Sequence, residues 1–78
     1  MKELVQYLAK SLVNNPGAVE VKESEADAAS VFELKVAKDD LGRIIGKQGR
    51  TAKSIRTILN AAASKTNRKV VLEIIEEN

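Results

Sequence analysis

"GRIIGKQGRTAKSIR", residues 42–56, decides how the rest of this chain is read. Gly46 and Gly49 stand three apart inside a segment otherwise patterned as helix. Glycine is a poor helix former, so two at this spacing split one helix into two. Five basic residues, Arg43, Lys47, Arg50, Lys53 and Arg56, surround the break with no acid among them. On its N-terminal side Leu41, Ile44 and Ile45 supply the apolar side of a brief helix, which Asp39 or Asp40 would cap by placing negative charge at its positive end. On the other side Ala52, Ile55, Ile58, Leu59 and Ala62 repeat at helical spacing up to about Lys65, which assigns Ile55, Ile58 and Leu59 to the core.

A G-x-x-G turn brings backbone close to a partner, because glycine lacks the Cβ that would hold the partner away and tolerates positive φ. This turn also opens the second helix, whose free N–H groups and dipole suit a phosphate. Lys47 and Gln48 would point away from the core, and Lys47 and Arg50 add positive charge. The stretch therefore reads as a clamp for a phosphodiester backbone. A P-loop is excluded, since it needs four residues between its glycines followed by Lys and Ser/Thr. Gly42 and Gly46 have three residues between them, and Lys47 precedes Gln48. No G-x-G-x-x-G follows a strand either. An ordinary helix–helix turn is the bland alternative. The placement between a short apolar helix and a basic amphipathic one, with strands on both sides, favours the clamp.

Outward from this centre, Leu4, Val5, Leu8 and Leu12 form the stripe of an amphipathic helix, stopped by Asn14-Asn15-Pro16-Gly17. Val19 and Val21 alternate with Glu20 and Lys22, a short strand. Residues 23–29, ESEADAA, read as a loop or strand end. Phe32, Leu34 and Val36 alternate with Glu33 and Lys35, a second strand. Asn67 and Arg68 form a turn, and Val70, Val71, Leu72, Ile74 and Ile75 a third strand. The order α-β-β-α-α-β predicts a two-layer α+β fold, a three-stranded sheet with three helices on one face. Residues 1–78 are expected to form one domain.

The net charge of +2 conceals a division. Residues 1–40 hold five Lys/Arg against eight Asp/Glu, a net −3, and residues 41–78 hold eight against three, a net +5. Such asymmetry points to a polyanion-binding face on an acidic body. The chain has no cysteine and no histidine, which excludes disulfides, the usual zinc sites and His-based triads. Its serines have no apparent base partner, so no enzyme activity, metal or cofactor is expected. No run approaches the ~18 apolar residues of a membrane span, and the opening MKELVQYLAK lacks signal-peptide character. The chain reads as soluble and cytoplasmic.

The stretch "IIGKQGRTAKSI" resembles the signature of KH domains, I-I-G-x-x-G-x-x-x-x-x-I, and the element order resembles the bacterial type II version. KH domains clamp four nucleotides of single-stranded nucleic acid with that loop. The opening "MKELVQYLAKSLVNNP", the middle "VAKDDLGRIIGKQGRTAKSIRTIL" and the end "KVVLEIIEE" are similar to the small single-KH bacterial RNA-binding proteins of the KhpA family. The resemblance implies a cytoplasmic RNA chaperone or regulator, linked to cell elongation and division, that pairs with a larger KH protein of the KhpB type or with a second copy. It implies that Gly46, Lys47, Gln48 and Gly49 form the RNA-binding loop. Ile44 or Ile45 would give the groove its apolar floor, and the second strand around Phe32 to Val36 its opposite wall. Arg43, Arg50, Lys53 and Arg56 would extend the positive rim. With Tyr7 and Phe32 the only aromatics, recognition by base stacking on rings is not expected. The alternative is a protein-interaction or dimer module whose basic face binds an acidic partner.

Overall fold

The computed structural model describes residues 1–76. Helix α1 spans Lys2–Leu12, strand β1 Glu20–Ala26, strand β2 Ala29–Val36, helix α2 Leu41–Ile45, helix α3 Arg50–Ala63 and strand β3 Lys69–Glu76. The sheet order is β1-β2-β3, with β1 antiparallel and β3 parallel to β2. This is the expected α+β architecture. The parallel pair requires a crossover, and α2 and α3 provide it.

Strand periodicity divides the sheet into two faces. Val21, Phe32, Leu34, Val36, Val70 and Leu72 are buried on the helical side. On the other side Lys22 pairs with Glu33 and Glu33 with Glu73, while Glu20 pairs with Lys35. The helices close the core with Val5 and Ala9 from α1, Ile44 from α2, and Ile55, Leu59 and Ala63 from α3. Phe32, Leu34, Ile44 and Leu59 are fully buried, each worth about 1.5–3 kcal/mol of apolar transfer.

The structure decides or changes four sequence expectations. Of the two readings of residues 23–29, strand end holds for 23–26: β1 runs to Ala26 and returns through Asp27-Ala28 into Ala29. Past Val21 this arm is exposed on both faces, so its polar composition marks an uncovered strand. Ile58 is 43% exposed and lies outside the core, as does the exposed Ala62. The buried stripe of α3 runs Ala52, Ile55, Leu59 and Ala63 instead. On α1, Leu12 is exposed and the stripe is completed by Ala9. Finally, Asp40 stands at the N-cap position of α2 as expected, but its side chain makes no capping bond there. Asp40 reaches across to a different part of the chain.

Candidate nucleic-acid interface

Helix α2 is five residues long, too short to hold itself by its own hydrogen bonds. Its anchor is Ile44, fully buried, while the next residue, Ile45, is 38% exposed. Neighbouring helical residues point about 100° apart, so only one isoleucine can face the core. Ile45 is therefore the one available to a ligand beside the loop.

The chain then bends sharply. The Gly46 N–H donates to the Gly42 carbonyl at 2.8 Å, and the Gly49 N–H donates to the Gly46 carbonyl at 3.1 Å. Gly46 has φ 78° and ψ 173°, Gln48 φ 57° and ψ 26°, and Gly49 φ 75° and ψ 12°. The two glycines are needed for different reasons. A Cβ on Gly46 would lie 2.2 Å from Thr51 Oγ1 and 2.8 Å from the Thr51 nitrogen, whereas one on Gly49 would meet nothing within 4 Å. Gly46 is required by space and φ together, Gly49 by φ alone. Thr51, which closes this contact, carries no sequence signal that marked it.

Lys47 and Gln48 project into solvent at the tip. Among the described residues their amides make no hydrogen bond. Helix α3 begins at once with Arg50, so its dipole and first amides face the same space. Lys53 is exposed one turn further along, and the Arg43 side chain is 55% exposed one turn before the loop. Arg43, Ile45, Gly46, Lys47, Gln48, Gly49, Arg50 and Lys53 thus belong to one helix–turn–helix surface with an exposed cationic rim.

Arg56, exposed on α3 one turn past Lys53, also serves the fold, and the expected groove wall lies elsewhere. Arg56 Nη2 donates to the Leu72 carbonyl at 3.2 Å, and Asn60 Oδ1 accepts from the Val70 N–H at 3.4 Å. Both tie α3 to β3. Phe32, Leu34 and Val36 cannot form a groove wall, because all three are sealed beneath the helices. Glu33 and Lys35 follow the alternate parity and face away from the helices.

The family model described as KhpA/KhpB, KH domain, matches residues 2–74. The chain belongs to this KH family. It is 56% identical to the RNA-binding protein KhpA of Clostridium perfringens over 75 residues, covering 96% of this chain and 100% of that protein. It is 52% identical to the RNA-binding protein KhpA of Chlamydia trachomatis over 77 residues, covering 99% of each. Among solved structures it resembles Era from Aquifex aeolicus, in a variant bound to GDP and AlF4−, with a TM-score of 0.59 and 29% identity. A structure of Era with MgGDPNP and nucleotides 1506–1542 of 16S ribosomal RNA gives a TM-score of 0.60 at 29% identity. In both the match covers 96% of this chain and 29% of the Era chain. The matching family model is a KH domain, and the curated relatives named above are RNA-binding proteins.

Proposed function

We propose that this protein holds single-stranded RNA across the GKQG loop and acts as an RNA chaperone or post-transcriptional regulator in the cytoplasm. The observation that carries this reading is the bare bend at Gly46–Gly49. It presents two amides with no partner among the described residues and the start of α3, inside a family whose curated members are named RNA-binding proteins. In this reading the amides of Lys47 and Gln48 and the Lys47 ammonium meet phosphates, Ile45 supports a base, and Arg43, Arg50 and Lys53 draw the strand in. A single groove of this size binds weakly, and a second KH unit raises affinity through effective concentration. A KhpB-type partner or a second copy would supply it, and control of cell elongation and division is the process to which we assign the pair.

The test is the Lys47→Asp, Gln48→Asp double variant. Both side chains are exposed, and aspartate tolerates the left-handed conformation at position 48, so the fold persists. Anisotropy titration with labelled single-stranded RNA is expected to lose binding. A folded double variant with wild-type affinity defeats the reading.

A second reading, the protein-interaction module, draws on the exposed Ile58 with Ala61 and Ala62 beside it on α3. Light scattering coupled to size exclusion, with and without RNA, tests it: a dimer that Ile58→Asp dissociates favours it, and a monomer at all concentrations removes it.

A further inference from the structure

Asp40 is the one buried charged residue of the described chain, 2% exposed. Its surroundings are specific. The Asn14 N–H donates to Oδ1 and the Asn15 N–H to Oδ2, both at 3.0 Å. Arg43 Nε lies 3.7 Å from Oδ1. Asn14 and Asn15 follow α1 and precede the turn at Pro16, whereas Asp40 directly precedes α2. One carboxylate therefore joins the exit of α1 to the entry of the short helix that carries the loop. Beyond it α2 has a single fully buried anchor, Ile44.

We infer that Asp40 is a positioning residue for the RNA-binding loop: it sets where α2 stands against α1 and aims the Arg43 guanidinium along the loop's flank. The chemistry requires a carboxylate. Two backbone donors need two acceptor oxygens, and asparagine offers one oxygen and one competing donor group. Charge-assisted bonds of this kind are the stronger class. The Arg43 side chain remains more than half exposed, so its remaining donors are free for a phosphate while the Nε edge is held. With the tether cut, α2 and the loop sample other placements. Apparent affinity then falls in proportion to the fraction still competent.

The test rests on the RNA-binding reading for its affinity arm but not for its structural arm. In Asp40→Asn, hydrogen exchange without RNA is expected to accelerate at the Asn14, Asn15, Gly46 and Gly49 amides. Leu34 and Leu59 amides in the core are expected to keep their protection. Global destabilisation would instead speed all of them together. Affinity for a labelled mixed-sequence single-stranded RNA is expected to fall about tenfold, as for a loop competent one-tenth of the time. In the Arg43→Gln background the same substitution is expected to cost less, because part of its effect passes through Arg43. Should Asp40→Asn fail to fold, Asp40→Glu, which keeps both oxygens on a longer arm, is measured in the same way. Unchanged protection at Gly46 and Gly49, or wild-type RNA affinity in the folded variant, overturns the inference. A wild-type protein that ignores RNA while Asp40→Asn frees Gly46 and Gly49 defeats the functional reading alone.

Discussion

The two glycines of the loop separate two physical effects that a motif merges. At Gly49 only the backbone conformation resists a side chain, and a left-handed non-glycine residue costs roughly 1–2 kcal/mol. At Gly46 the φ of 78° and ψ of 173° belong to a region nearly reserved for glycine, and a Cβ would also strike Thr51. Gly49→Ala is thus expected to lower unfolding free energy by about 1 kcal/mol, and Gly46→Ala by more than about 2 kcal/mol, measured by urea denaturation. Equal losses would show that the Thr51 contact relaxes freely. Gln48 occupies the left-handed region as well (φ 57°), and sequence offers no sign of it: glutamine there looks like any helix-surface residue. Asp40 was legible as an acid next to a helix start, which suggested a cap. Its actual partners lie 25 and 26 residues away, a distance that local pattern does not encode.

At the scale of elements, periodicity located the three α-helices and three strands of the described residues but did not choose between adjacent faces of α3. Ile58 and Leu59 are neighbours, and either fits a helical stripe with Ile55. The choice is made by where α3 meets β3: Leu59 is fully buried and Ile58 43% exposed. Leu59→Ala is accordingly expected to destabilise by about 2–5 kcal/mol, as a cavity-forming core truncation does. Ile58→Ala is expected to stay within about 0.5 kcal/mol, as at a surface position. Thermal melts of both variants at low protein concentration check this, and comparable losses would place Ile58 in the core after all. The polar arm of β1 was obscured for a related reason. Strand patterns are legible where one face is buried, and past Val21 neither face is. Its pairing to β2, from Lys22 with Glu33 to Ala26 with Ala29, is carried by backbone, which any side chains permit. The eight cations between Arg43 and Lys69 looked equivalent in sequence, yet packing sorts them: Arg56 holds β3, and Arg68 donates to Ser30 Oγ at 3.2 Å and to the Ala29 carbonyl at 2.8 Å.

That sorting has a consequence for the whole molecule. Charge asymmetry alone would let the full set of eight cations face a polyanion. Among the described residues only Arg43 of the eight joins an ion pair, with Asp40, while Arg56 and Arg68 are engaged by hydrogen bonds; Lys47, Arg50 and Lys53 are exposed at the loop and the start of α3, and Lys65 and Lys69 lie beyond the far end of that helix. Each phosphate neutralised on a single strand adds about 0.7 to the negative slope of log K against log salt. Three or four contacts predict a slope of about −2 to −3, and a protein that loses most of its affinity between low and physiological ionic strength. Titrations of labelled single-stranded RNA across a salt series measure the slope directly. A value approaching −6 would mean that Arg56 and Arg68 abandon their intramolecular partners, the remaining cations join, and the strand wraps the molecule. A value near zero would mean that no phosphate is gripped, and the exposed amides at the bend would then serve some other ligand. Removing one rim cation, as in Lys53→Ala, should reduce the slope by about 0.7 and leave melting temperature unchanged, whereas Arg56→Ala should do the reverse.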